Sequence, residues 1–106
     1  MIEVAFDGRY GIILKGHAGQ APYGRDIVCA GASALLCSLA KFFVAHTEEL
    51  AEYEIDVNGG FGKVRVLPKD SFEQSCLAVF ELARGGFSEL AEHYPSYIRQ
   101  VPIVNI

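Results

Sequence analysis

IVCAGASALLCSLA, Ile27 to Ala40, runs without one charged residue, and the class of the chain turns on whether this segment crosses a membrane or packs in a core. A spanning helix needs ~20 predominantly apolar residues. This run meets Lys41 before that length and carries several Ser, Gly and Ala within it, so it reads as a buried helix. Asp26 stands immediately before it, where a side-chain oxygen can satisfy the free N–H groups of a first helical turn. The spacing predicts a helix from there to about Leu50. With apolar residues on nearly every side, such a helix must be covered on more than one face, by a sheet and by something else such as a second subunit.

Outward from the helix, the pattern changes to a period of two. Ile2, Val4 and Phe6 alternate with Glu3 and Ala5, and after the turn signal Asp7-Gly8-Arg9 a second alternation runs through Tyr10, Ile12 and Leu14. Tyr53, Ile55 and Val57 alternate with acidic residues up to Asn58-Gly59-Gly60, and Val64 and Val66 follow between Lys63 and Arg65. Each pair of runs reads as a hairpin, the second with one wet face. Asp70 with Glu73 resembles a capping box, and Phe72, Cys76, Val79, Phe80, Ala83 and Phe87 continue at helical spacing towards His93, before Pro95. Gly85-Gly86 falls inside this second helix, where a kink or break is open because glycine costs ~1 kcal/mol relative to alanine in a helix interior. Tyr97 to Val104 reads as a last strand, with Pro102 marking an edge position or a strand end. The order β-β-α-β-β-α-β predicts an α+β single-domain sandwich over residues 1–106, a mostly antiparallel sheet packed with two helices.

Composition narrows the function. At 106 residues and 51% hydrophobic content one core is expected, and a net charge of −4 offers no electrostatic footprint for nucleic acid. The beginning MIEVAFDG lacks the basic and apolar regions of a signal peptide. The three cysteines are an odd number without C-x-x-C spacing, which argues against a disulfide scaffold or zinc knuckle and for free thiols in a reducing compartment. A cytoplasmic protein without a membrane span, metal or other cofactor is the expectation.

Chemistry concentrates in GHAGQAPYGRDIVCAGAS, Gly16 to Ser33. With Asp26 as N-cap, Cys29 occupies the first turn of the helix, where free N–H groups and the positive end of the dipole predispose a thiol to ionise. His17 begins a loop with Gly16, Gly19 and Gly24 as candidate hinges, so its imidazole can fold back beside the sulfur as general base and later acid. The plainer reading, in which Cys29 is a packed small hydrophobe and His17 a loop residue, stands beside it. Asp26 has two possible roles: capping the helix through the N–H of Val28 or Cys29, or orienting His17 as the third member of a triad-like set. The two compete, because the Cys29 N–H is also the natural donor to an oxyanion. Ser33 lies one turn beyond Cys29 and either reaches the site or bonds back to the Cys29 carbonyl. Cys37 and Cys76 read as packed residues on apolar helix faces, and His46 and His93 as helix C-terminal histidines. His17, Asp26 and Cys29 lack a fourth ligand at any familiar metal-site spacing.

GHA followed by YGRDIVCAGAS, with an echo at Asn58-Gly59-Gly60, closely resembles the signature of the bacterial ribosomal-processing cysteine protease (Prp) family. The resemblance implies a His/Cys dyad of His17 and Cys29, with Asp26 matching the family's aspartate. It implies a cytosolic homodimer that removes a short N-terminal extension from large-subunit ribosomal protein number twenty-seven, cutting after an aromatic residue, with a loop that rearranges around substrate. Gln20 and Pro22 depart within the varied part of the loop, and Pro22 restricts how that loop closes. The expected partner is the ribosomal protein precursor, with no direct contact to nucleic acid. The competing reading is a non-catalytic ribosome-assembly factor that binds a ribosomal protein tail in the same groove, which would need neither His17 nor Cys29. A third, a thiol redox sensor, would need a resolving thiol close to Cys29.

Overall fold

A computed structural model describes residues 1–22 and 25–106; Tyr23 and Gly24, the latter one of the candidate hinges, lie outside the described residues. The two alternating runs at the start form β1 (Ile2–Phe6) and β2 (Gly11–Gly16), paired antiparallel. The charge-free run forms α1 (Ile27–Val44), the second hairpin is β3 (Leu50–Asn58) with β4 (Phe61–Pro68), and α2 (Glu73–His93) leads to β5 (Ile98–Gln100). The strands lie in the order β3-β4-β2-β1-β5, every neighbour antiparallel except β5, which runs parallel to β1. The expected mostly antiparallel α+β sandwich with two helices is the observed fold.

Register explains the core. Val4 faces Leu14 across β1 and β2, Ile12 faces Val64 across β2 and β4, and Ile55 faces Val64 across β3 and β4. Pairs directly opposite share a face, so these apolar rows merge with Ile98 of β5 into one surface on which both helices rest. The helices meet this surface through Val28, Leu36 and Phe43 of α1 and through Phe80 and Phe87 of α2, all buried. The other face of the sheet carries ion pairs: Arg99 with Glu3 at 2.7 Å, Lys63 with Glu54 at 2.6 Å, and Arg65 with Asp7. By length and composition α1 could cross a membrane, yet its Val28, Ala32, Leu36, Leu39, Ala40 and Phe43 form the centre of the core.

Element boundaries depart from the pattern in three places. The first helix stops at Val44, short of Leu50, and Thr47–Glu49 form a 3-10 turn. Lys69, beyond the end of β4, gives its backbone N–H to the Glu49 carbonyl at 2.9 Å and its ammonium to the Glu48 carbonyl at 2.8 Å, which draws this stretch out of the helix and into line with the sheet. The capping box at Asp70 and Glu73 does not form. Asp70–Phe72 make a 3-10 turn whose Asp70 carbonyl, not its side chain, accepts the Glu73 N–H, and α2 begins at Glu73 with no side-chain cap. The final strand spans Ile98–Gln100 at the sheet edge instead of Tyr97 to Val104, because Pro102 has no N–H to donate and opens a further 3-10 turn.

Gly85-Gly86 does not break α2, which continues to His93. Gly86 lies at the contact between the helices: a methyl group there would sit 2.7 Å from Leu35 Cδ2. Close approach of α1 and α2 compensates for glycine's weak helix propensity.

Candidate active site

Asp26 has extended backbone (φ −84°, ψ 105°), and one carboxylate oxygen, Oδ1, accepts the N–H of Val28 at 3.0 Å and of Cys29 at 2.9 Å. This is the N-cap arrangement. Its other oxygen, Oδ2, accepts the Gln20 N–H at 2.9 Å, so one side chain ties the glycine loop to the helix start. Asp26 is 8% exposed. The Cys29 N–H holds its carboxyl below the usual carboxylate range, with burial opposing and the Gln20 and Ala21 N–H groups assisting. Between the two roles open to Asp26, the structure contains the cap. Among the described residues no hydrogen bond joins Asp26 to His17.

Cys29 lies in the first turn of α1, half-buried. Its Sγ accepts the N–H of Ala18 at 3.3 Å, which brings the residue after His17 onto the sulfur. His17 is exposed, with its carbonyl accepting from the Met1 amine and its ring against Gly60 at the β3–β4 turn. Among the described residues no hydrogen bond links the imidazole to Cys29. Gly16 ends β2 with φ +98° and Gly19 has φ +71°. Left-handed backbone at both places turns the chain sharply on either side of His17 and Ala18.

His17, Asp26, Cys29 and Ser33 all line one cavity of about 640 Å³, together with Val57 and Phe61 from the second hairpin. Its walls are mainly apolar with a few polar groups, the usual make-up of a ligand site. Ser33 is exposed to the cavity, and among the described residues its hydroxyl makes no back-bond to the Cys29 carbonyl. Cys37 corrects the sequence reading: it is exposed, not packed, and lines the same cavity two turns below Cys29. Cys76 is fully buried on α2, and burial, with Glu73 adding to it, pushes its thiol up to about 11. His46 and His93 sit at helix ends as expected, their Nδ1 atoms 2.7 Å from the Phe42 carbonyl and 3.0 Å from the Glu89 carbonyl. Among the described residues there is no cluster of His, Cys, Asp or Glu suited to a metal ion.

Sequence reasoning missed the tie from Asp26 to Gln20, the amide of Ala18 on the sulfur, and the part played by the hairpin tip. The only trace of the last was the echo at Asn58-Gly59-Gly60. Nothing in the local pattern distinguished Cys37 from its packed neighbours, because the side of α1 that stays open depends on where the sheet lies.

A thiol at a helix N-terminus, sharing an apolar cavity with a histidine on a two-layer α+β scaffold, describes a cysteine peptidase. The chain belongs to the cysteine protease Prp family, whose model matches residues 1–99. It is 33% identical over 88 residues to the ribosomal processing cysteine protease Prp of Staphylococcus aureus, covering 83% of this chain and 81% of that one. The crystal structure of the essential ribosomal processing protease Prp from S. aureus, in complex with a covalently linked product peptide, superposes with a TM-score of 0.73 at 27% identity, covering 95% of this chain and 96% of that one. SMU.848 from Streptococcus mutans is similar at a TM-score of 0.70 and 28% identity, over 96% and 93% of the two chains.

Proposed function

We propose that this chain, as one catalytic domain over residues 1–106, is a cysteine endopeptidase that removes the N-terminal extension of large-subunit ribosomal protein number twenty-seven, with Cys29 as nucleophile and His17 as base. The observation that carries the reading is the Ala18 N–H on Cys29 Sγ, which brings the backbone beside His17 to the thiol inside one cavity. The S. aureus relative with its covalently linked product peptide supports a peptide as substrate. The left-handed glycines at 16 and 19, on either side of His17, give the loop places to turn as the imidazole comes to the sulfur.

The chemistry follows from these positions. His17 takes the Cys29 proton as the sulfur attacks the scissile carbonyl carbon, and the carbonyl electrons move onto oxygen. As the carbonyl re-forms, the C–N bond breaks, the imidazolium gives its proton to the leaving amine, and a thioester to Cys29 remains. Water, deprotonated by His17, attacks the thioester; the C–S bond breaks and the thiolate recovers its proton. The Cys29 N–H is the natural donor to the oxyanion, and for this Asp26 must release it while keeping Val28 and Gln20. Ser33 adds a hydroxyl to the wall beyond the sulfur.

The chain acts in the cytoplasm as a homodimer, with no cofactor and no direct contact to nucleic acid. The open side of α1, where Ile27 is 58% and Val44 60% exposed, supports a second subunit. The net charge of −4 suits a basic ribosomal precursor.

Incubation of the protein with a peptide spanning the precursor's extension, beside Cys29→Ala and His17→Ala variants, tests the reading. Cleavage by the wild type alone is expected. Equal binding by all three with no cleavage would overturn it in favour of the tail-binding factor.

A further inference from the structure

We infer that Gly60 is a positioning residue for His17, its bare backbone forming the surface against which the imidazole is held; this rests on His17 acting as the base. β2 and β4 are paired with Lys15 opposite Phe61, so the tip of the second hairpin comes level with the end of β2. The Gly16 N–H donates to the Gly60 carbonyl at 2.9 Å, extending the ladder to the residue just before His17. There β2 ends, and φ +98° at Gly16 swings the chain so that His17 lies over the tip. A methyl group on Gly60 would sit 2.8 Å from His17 Nε2, 3.4 Å from Cε1 and 3.5 Å from Cδ2. The first distance is shorter than carbon and nitrogen tolerate, so any side chain here moves the ring.

His17 is exposed and, among the described residues, its ring makes no hydrogen bond, while the hairpin tip lies directly against it. Gly60 is itself in the left-handed region at φ +80°, so the tip is shaped for glycine on two separate grounds: backbone conformation and the space taken by the imidazole. Gly8 separates these grounds. It has φ +64° in the β1–β2 turn, and a methyl group there would meet nothing within 4 Å.

The test compares Gly60→Ala, Gly60→Asn and Gly8→Ala with the wild type and with His17→Ala. Measurements are peptide turnover, the pH dependence of kcat, and the ring NMR signals of His17. Asparagine tolerates the left-handed backbone better than alanine, so Gly60→Asn keeps the test open if alanine impairs folding. Both Gly60 variants are expected to lose up to about a hundredfold in kcat, the scale of a misplaced catalytic group. KM should change little, the kcat–pH profile and His17 signals should shift, and Gly8→Ala should keep kcat while losing stability. Wild-type kcat and pH profile in folded Gly60 variants would overturn the inference, as would a loss in kcat with unmoved His17 signals. Full turnover by His17→Ala would instead remove the base assignment, and this inference with it.

Discussion

Cys29 and His17 line the same cavity on unequal supports. Cys29 stands on an 18-residue helix whose first turn is capped by Asp26 and anchored by Val28, at 0% exposed, and Ala32, at 1%. His17 stands at the mouth of a loop, exposed, between two residues of the turn-forming kind, Gly16 and Gly19. Packing of the helix beneath it holds the first in place, while the second stands on an exposed loop without that support. With Cys29 set by the core and His17 by a loop, the site divides into a rigid half and an adjustable half. Asp26 joins them, one oxygen on the helix and the other on Gln20.

The largest expected effect breaks the contrast at its chemistry. Cys29→Ala should reduce peptide turnover by about 10⁴-fold or more, and His17→Ala should do likewise. Neither should lower the thermal midpoint much, since Cys29 is only half-buried and His17 is exposed; steady-state kinetics beside a melt checks both. Next, Phe43→Ala removes the support under the rigid half. Phe43 is 0% exposed and packs against Phe80 with ring centroids 5.5 Å apart, so the loss should be about 3–5 kcal/mol by urea denaturation. Turnover below the melting transition should fall far less than in Cys29→Ala.

A smaller effect concerns the joint between the halves. The Asp26 carboxyl is held below its usual range by the Cys29 N–H, so it stabilises the fold at pH values above the ordinary carboxylate pKa of ~3.9 and this contribution is lost as pH falls through the lower folded value. Asp26→Asn should keep most of the cap while removing that part of the acid dependence, seen as a flatter plot of melting temperature against pH below about 4. A large loss of turnover in this variant, with stability kept, would show Asp26 acting in the reaction as well. The smallest effect sharpens the contrast among the thiols. In the native protein iodoacetamide should label Cys29 and Cys37 and leave Cys76, whose thiol is pushed up to about 11 by burial, until denaturant is added; mass spectrometry counts the adducts.

How far the sequence carried the reading follows the range of the interactions. The hairpins, both helices and the place of Asp26 before the first helix were legible because alternation, helical spacing and an aspartate before an apolar run act over a few residues. The end of α1 was misread because it is set from outside, by Lys69 holding Glu48 and Glu49; the last strand was drawn past Pro102, the local signal that marks its end. In the site, Cys29 and Asp26 sit where the local pattern placed them. The exposure of Cys37 depends on how α1 lies on the sheet, and the contact of Gly60 with His17 on how β4 pairs with β2, which no local window contains.

The sequence by itself determined the elements, the wet and dry faces of the strands, the placement of Cys29 in a first helical turn, and the family signature. Those properties are written in neighbours along the chain, through propensity, periodicity and capping. Only the tertiary structure decided which side of α1 stays open, where the hairpin tip meets His17, and that Asp26 holds both the helix and the loop. Each of these is a contact between segments, and its existence depends on the strand order β3-β4-β2-β1-β5, which sets the second hairpin beside the end of β2.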